Sequence, residues 1–319
     1  MQQEVYLGID TSCYTTSVAL IYRAGQLAGE ARKILDVKEG RCGLQQSEMV
    51  FQHTRNLPML MESVFSSGDY KIIGIGVSGY PRPLEGSYMP AFLAGLSVAR
   101  SLAAVTGARL HIISHQENHL EAGVWSAGGP KAERFLLLHA SGGTTDLLLA
   151  EMQRDGRYKL TQVGGSMDLH AGQFVDRVGV ALGLQFPTGP ELEKLAATAS
   201  GMIELPVAVR KLQVSLSGPA TAALCKLESG ADKAALALGV EHALAETFAR
   251  MLRNGAAEFD VDAVLLVGGV ASNGYIRNHV AERLAKRRVK VWVPEARFSC
   301  DNASGCAAFA RRMEENGAG

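Results

Sequence analysis

The chain has 319 residues, with 32 Lys+Arg against 32 Asp+Glu, 47% hydrophobic and 20% charged residues. Two domains of roughly 150 residues each account for that length, and each can bury a core without disulfide or metal staples. This balance excludes a disordered chain, a collagen, a mini-protein scaffold and a dedicated nucleic-acid coat, and leaves only a local basic patch open.

In chain order, Val5 to Asp10 reads as a strand, Thr11 to Thr16 as a polar turn and Ser17 to Tyr22 as a second strand, which together make a hairpin. The spacing then predicts a helix over Ser47 to Ser66, a strand over Ile72 to Ser78, a helix over Met89 to Thr106 and a short strand over Arg109 to Ile113. The hairpin pattern returns as Phe135 to Ala140, the turn Ser141-Gly142-Gly143-Thr144-Thr145, and Asp146 to Glu151. Ser12 then falls on Ser141 and Thr15-Thr16 on Thr144-Thr145, which suggests two halves built on one plan. Helices are expected around Phe174 to Leu182, Glu191 to Ala199 and Ala235 to Glu258. A strand at Ala263 to Val267, a helix at Ser272 to Lys286, a strand at Val289 to Val293 and a closing helix at Ala303 to Glu315 complete the chain. Strands alternating with helices argue an α/β architecture, and the 35 glycines suit its tight turns. We place the boundary near residues 114 to 130, with an N-terminal domain 1–120 and a C-terminal, nucleotide-binding domain 121–319.

Five widely spaced cysteines (Cys13, Cys42, Cys225, Cys300 and Cys306) without a C-x-x-C lead us to expect reduced thiols in a cytoplasm. No basic segment leads into an apolar one near the N-terminus, and no apolar stretch reaches the roughly 20 residues of a membrane helix. No secretory signal and no membrane association are therefore expected.

The run Ser114-His115-Gln116-Glu117-Asn118-His119 carries most information. Ser114 with Glu117 is a capping box that opens a helix, and His115 and His119 at i and i+4 share one face of it. Two imidazoles so placed can form a metal pair, and two polar residues near a helix end are the alternative. Gln116 stands where a zinc protease carries its glutamate base, so a zinc peptidase is discounted. Ser141 to Thr145 is a candidate phosphate loop or an ordinary hairpin turn. Val267-Gly268-Gly269-Val270-Ala271-Ser272-Asn273 joins a strand to a helix through two glycines, with Ser272 or Asn273 as a possible plain cap. Asp301 or Asn302 can cap the last helix, and Asp301 can instead be the carboxylate that joins the two histidines on a metal. Gly189-Pro190 and Ser215 to Gly218 are binding loops or simple turns. Arg283, Lys286, Arg287, Arg288 and Lys290 form a basic cluster, better explained as a solvated helix end than as a nucleic-acid patch.

Taken in order, these segments resemble the Gcp/TsaD family, the catalytic subunit of tRNA threonylcarbamoyladenosine synthesis, once labelled O-sialoglycoprotein endopeptidase. The resemblance covers nearly the whole chain: LGIDTSC at Leu7 to Cys13, HQENH at His115 to His119, SGGTT at Ser141 to Thr145, Gly172 to Asp176, GLQFPTGPELEKLA at Gly183 to Ala196, SLSG at Ser215 to Gly218, GGVASN at Gly268 to Asn273, and CDNA at Cys300 to Ala303. It implies the actin/sugar-kinase/Hsp70-like (ASKHA) fold, two duplicated α/β domains with nucleotide in the cleft. It implies one divalent metal, iron or zinc, on His115, His119 and Asp301. It implies binding of ATP or an adenylate by Ser141, Gly142, Gly143, Thr144, Asp168, Gly172, Asp176, Gly189, Gly268, Gly269 and Asn273. The reaction implied is attack by the exocyclic amine of a tRNA adenosine on threonylcarbamoyl-adenylate. The implied partners are tRNA, the companion subunits of a transfer complex and, possible in such a family, a second copy in a homodimer.

The departures are specific. Tyr14-Thr15 stand where the family carries Asp-Glu, Thr144 replaces a histidine, Leu169 replaces the second acid of a pair, and Gln173 replaces a glutamate. Gly79-Tyr80-Pro81-Arg82 takes the place of a Gly-Pro-Gly loop. This pattern suggests a divergent paralogue. Beside the transferase, two other readings stand: a nucleotide- and metal-binding regulatory or scaffold subunit without the activity, and, more weakly, a small-molecule kinase.

Overall fold

The computed structural model describes residues 2–12, 14–37 and 44–316; Cys13 and Cys42 lie outside them. The chain divides into two compact units. One holds the residues up to Ser126 with Arg154–Arg157 and the segment from Cys300; the other holds Ala127–Gln153 and Tyr158–Ser299.

The first unit begins with β1 (Gln3–Asp10), β2 (Thr15–Tyr22) and β3 (Leu27–Ile34). It continues through α1 (Gln46–Phe65), β4 (Tyr70–Tyr80), α2 (Phe92–Thr106), β5 (Arg109–Ser114) and α3 (His115–Ala127). Its five-stranded sheet has the order β3-β2-β1-β4-β5, antiparallel at the hairpins and parallel from β1 through β4 to β5. Parallel strands covered on both faces need continuous apolar sequence, and the Val5 to Ile9 run of β1 is fully buried on that account.

The second unit repeats this plan. It runs β6 (Arg134–Ala140), β7 (Thr145–Met152), β8 (Tyr158–Ser166), α4 (Ala171–Leu182), α5 (Gly189–Ala196), β9 (Ala208–Arg210), β10 (Gln213–Ser215), α6 (Ser217–Glu228) and α7 (Lys233–Phe259). Then come β11 (Ala263–Val267), α8 (Gly274–Ala285), β12 (Lys290–Trp292) and the short α9 (Ala296–Ser299). The sheet order is β12-β11-β6-β7-β8-β10-β9, so β8-β7-β6-β11-β12 reproduces the β3-β2-β1-β4-β5 order of the first unit, extended by a small β10-β9 edge. The repeated hairpin in the sequence is thus the start of a repeated sheet.

The last helix, α10 (Ser304–Asn316), belongs to the first unit. Its apolar side, with Cys306, Ala307 and Phe309, packs with Ile21 and Ile113 of the first sheet. Two glycines admit it. A methyl at Gly8 would collide with the Ala303 carbonyl, and one at Gly76 with the Cys306 carbonyl. The thiols of Cys225, Cys300 and Cys306 are free. No described helix is long and apolar enough to cross a membrane.

Candidate metal centre and nucleotide loops

The first site is built at the carboxyl ends of β1, β4 and β5, where an open α/β sheet exposes its loops. Each of these strands delivers one polar residue there: Asp10, Ser78 and Ser114, all fully buried. Ser114 forms the expected capping box. Its N–H and hydroxyl donate to Glu117 Oε2 at 2.7 and 2.6 Å, and the Glu117 N–H donates back to Ser114 Oγ at 3.1 Å. The box starts α3 at His115 and so fixes the imidazoles of its first two turns.

Asp301 arrives just before α10. Asn302, not Asp301, caps that helix, its Oδ1 accepting from the Ser304 N–H at 2.9 Å. Two contacts clasp α3 to this segment: Asn118 Nδ2 donates to the Asn302 carbonyl at 2.7 Å, and Gly305 lies against the Asn118 carbonyl with no room for a methyl. The clasp brings Asp301 Oδ1 to 3.5 Å from His115 Nε2 and 3.3 Å from His119 Nε2, with the two Nε2 atoms 3.1 Å apart. Among the described residues this is a group of three side chains whose donor atoms converge as metal ligands do.

The donor set fits an ion. A point equidistant from the three atoms lies about 1.9 Å from each in their common plane, and a small displacement out of it gives the ~2.0–2.2 Å of zinc–nitrogen and zinc–carboxylate bonds. Two histidines and a carboxylate with an open side also suit non-haem iron. Behind His115, the Asp10 carboxylate accepts from Ser12 Oγ at 2.7 Å and from Ser78 Oγ, and its Oδ2 lies 3.7 Å from His115 Nδ1. That Nδ1 is buried with no hydrogen-bond partner, and the Asp10 carboxylate faces it.

The electrostatics agree. Burial alone would lower the His115 pKa, but Asp10 and Asp301 outweigh it and raise it. Burial and the neighbouring His115 charge both lower that of His119. Burial would raise the Asp301 pKa, yet hydrogen bonds from both histidines hold it far below the usual carboxylate range. These directions leave the Asp301 carboxylate ionised and the His119 imidazole neutral, the forms in which each can ligate a cation. Tyr14, 39% exposed, lies in the β1–β2 turn and the buried Thr15 opens β2; neither side chain carries a carboxylate.

The predicted nucleotide residues all lie in the second unit and group into three patches. At the carboxyl ends of the neighbouring parallel strands β6 and β11, the Ser141 to Thr144 turn meets the Gly268 turn and the start of α4. The Gly172 N–H donates to the Ser141 carbonyl at 3.0 Å and the Val270 N–H to Ala140 at 3.0 Å. Gly268 has φ +100°, and a methyl there would strike the Ala140 carbonyl. A Cβ at Gly142 or Gly143 would meet nothing, so that backbone is open to close approach. In the second patch, Asp176 Oδ1 accepts from the Thr188 N–H at 2.9 Å and holds the residue before Gly189. Asn273 caps α8 through the Ile276 N–H and donates to Glu241 Oε1 at 2.6 Å, while Glu193 Oε1 accepts from the Gly274 N–H at 2.7 Å. In the third, Asp168 accepts from the hydroxyls of Ser215 and Ser217 and the N–H groups of Leu216 and Leu169. Burial works against its ionisation, but these donors hold its pKa far below the usual value. Asp168 thus pins the Ser215 to Gly218 loop. Sequence reasoning missed Asp10, Ser78, Gly305 and Glu241; an acid at the end of an otherwise apolar strand, as at Asp10, is the one signal that could have led toward this shell.

Two units with one strand order, each gathering polar loops at the carboxyl ends of its central strands, define the actin/sugar-kinase/Hsp70-like class. Solved structures agree on the fold. HypF from T. kodakarensis superposes with a TM-score of 0.65 at 13% identity, covering 99% of this chain and 48% of that one. A ROK family glucokinase from Streptomyces griseus gives 0.55 at 13% identity, covering 97% and 99%. Residues 48–308 match the TsaD family model, tRNA N6-adenosine threonylcarbamoyltransferase. A protein of that description from Thermus thermophilus is 32% identical over 98% of this chain and 93% of its own length. A probable bifunctional tRNA threonylcarbamoyladenosine biosynthesis protein from Methanothermobacter thermautotrophicus is 29% identical over 93% of this chain and 54% of its own. The chain belongs to the tRNA N6-adenosine threonylcarbamoyltransferase family.

Proposed function

We propose that the protein is a metal-dependent transferase that moves a threonylcarbamoyl group from its adenylate to the N6 amine of a tRNA adenosine. The observation that carries this reading is the convergence of His115 Nε2, His119 Nε2 and Asp301 Oδ1 within 3.5 Å of one another. These three residues would hold a divalent iron or zinc ion, which supplies Lewis-acid polarisation of the carbamoyl group when bound. The Asp10 carboxylate, 3.7 Å from His115 Nδ1, would favour the proton on that nitrogen by its charge and leave the Nε2 lone pair for the ion. Ser12 and Ser78 fix Asp10 for that task. The open backbone at Gly142 and Gly143 suits the phosphate of an adenylate. Glu193 and Asn273 border the same group of loops.

A second reading has its own observation. Tyr14 in the β1–β2 turn and Thr15 at the start of β2 offer no carboxylate to take the amine's proton. Loss of a general base costs about 10²–10⁴-fold, so a nucleotide- and metal-binding regulatory or scaffold subunit of a transfer complex, with companion proteins, is the alternative. The two separate in one assay. Purified protein is incubated with threonylcarbamoyl-adenylate and unmodified tRNA, with and without companion subunits, and the digested tRNA is analysed by mass spectrometry. Modified nucleoside above the enzyme-free control, absent with Asp301→Ala, supports the transferase. No product in either arm, from protein that binds metal and ATP, rejects it in favour of the second reading.

A further inference from the structure

In the second unit α7 and α8 enclose a groove of about 360 Å³ in which Arg250, Arg253, Arg283, Lys286 and Arg287 surround Glu246. A helix end accounts for Lys286 and Arg287, since cations gather where the macrodipole is negative. It does not account for Arg250 and Arg253, which lie inside α7. Nor does overall composition, because the chain has a formal net charge of zero.

The groove is organised. The Glu246 carboxylate is buried, and its Oε1 accepts from Arg250 Nε and from an Arg283 guanidinium N–H, both at 2.8 Å. His279 Nε2 lies 3.1 Å from Oε2. Burial would raise the Glu246 pKa, but these partners bring it down to about 2. Each arginine is held by one edge while its side chain stays about half exposed, at 45% and 46%. The remaining N–H groups are thus presented in fixed positions. Arg253, Lys286 and Arg287 are exposed and pair with no carboxylate among the described residues. Arg253 and Arg287 also line an adjoining depression of about 730 Å³, which adds Arg134 and Arg288 and two acids, Asp260 and Asp262.

We propose that this groove is a docking surface for the phosphate backbone of a structured RNA. Four of its five cations are arginines, whose planar forks pair with phosphate two bonds at a time. No large apolar side chain lines the groove, so the apolar face that inserts into a membrane surface is missing. The choice of tRNA as the RNA rests on the transferase reading; the anion-binding geometry does not.

The test measures binding without chemistry. Unmodified tRNA transcript is titrated with the full-length protein by fluorescence anisotropy from 50 to 200 mM KCl. The compared variants are the triple Arg253→Ala/Lys286→Ala/Arg287→Ala and a control triple at exposed lysines elsewhere, Lys131→Ala/Lys159→Ala/Lys226→Ala. Three lost phosphate contacts make the slope of log K against log salt shallower by about 2–3, and should weaken binding at least tenfold near 100 mM. The control should stay within about twofold. Circular dichroism checks that both variants fold. Equal binding by wild type and groove variant overturns the proposal, as does equal weakening in the two triples, no tRNA binding at 50 mM salt, or tighter binding to anionic vesicles than to tRNA. Failure of the transferase reading is distinct: no modified nucleoside forms although groove-dependent tRNA binding persists.

Discussion

Replacing Asp10 by Asn tests the metal centre from behind. The carboxylate is fully buried, and its Oδ2 is the acceptor 3.7 Å from the otherwise unpartnered His115 Nδ1. Asn keeps the volume, and the hydroxyls of Ser12 and Ser78 can turn to suit an amide, so the core is spared. The charge is lost, however, and an amide NH2 aimed at His115 drives its proton to Nε2, the atom that faces Asp301 and His119. Carboxylates behind a ligating histidine are worth about 10–100-fold in metal affinity, or roughly 1.4–2.7 kcal/mol. The assay is competition for Zn²⁺ against a chromogenic chelator on the demetallated protein, repeated anaerobically with Fe²⁺. Asp10→Asn should bind 10–100-fold more weakly than wild type, and His115→Ala should bind more weakly still, with circular dichroism unchanged. Wild-type affinity in Asp10→Asn alongside lost affinity in His115→Ala would refute the positioning role. Unaltered metal content in His115→Ala would refute the ligand set itself.

Gly305→Ala should damage the same centre without touching a ligand. The new methyl meets the Asn118 carbonyl and forces α10 off α3, at a cost of about 1–3 kcal/mol; both the melting temperature and the metal affinity should fall, and loss of stability with intact affinity would show that the clasp does not set the triad. Glu241→Gln probes the nucleotide side through pH. Burial, helped by Glu193 and opposed by Asn273, raises the Glu241 pKa to about 7, so the folded state holds an extra proton between pH ~4.5 and 7 and stability declines as pH rises through that window, by on the order of 3 kcal/mol. The amide should therefore raise the melting temperature by several degrees at pH 8 and leave it nearly unchanged at pH 4; equal shifts at both values would contradict the assignment.

Much of the fold was legible because its signals are local. The apolar runs of β1, β6 and β11 identify buried strands, the Ser114–Glu117 box starts α3 where the sequence places it, and the repeated hairpin marks the duplicated sheet. β3 and β8 escaped notice because they are partly exposed: their mixed patterns, LAGEARKI and YKLTQVGGS, lack a sustained period. The position of α10 was not legible at all. Only its contacts with β1 and β4 assign it to the first unit, and those depend on missing side chains at Gly8 and Gly76.

The site divides the same way. His115 and His119 are four residues apart on one helix, so their shared face is a property of the sequence alone. Asp301 lies far away along the chain, and the capping preference that it shares with Asn302 gives two assignments of equal chemical sense. The structure decides between them through a tertiary device: Asn118 reaches the Asn302 backbone, Gly305 lets the two segments touch, and Asn302 takes the cap. Asp301 is thereby released from helix capping and is free to face the histidines. The third ligand is thus selected by packing between α3 and α10. This is why a glycine and an asparagine that never touch the ion are expected to matter for its affinity as the residue behind His115 does.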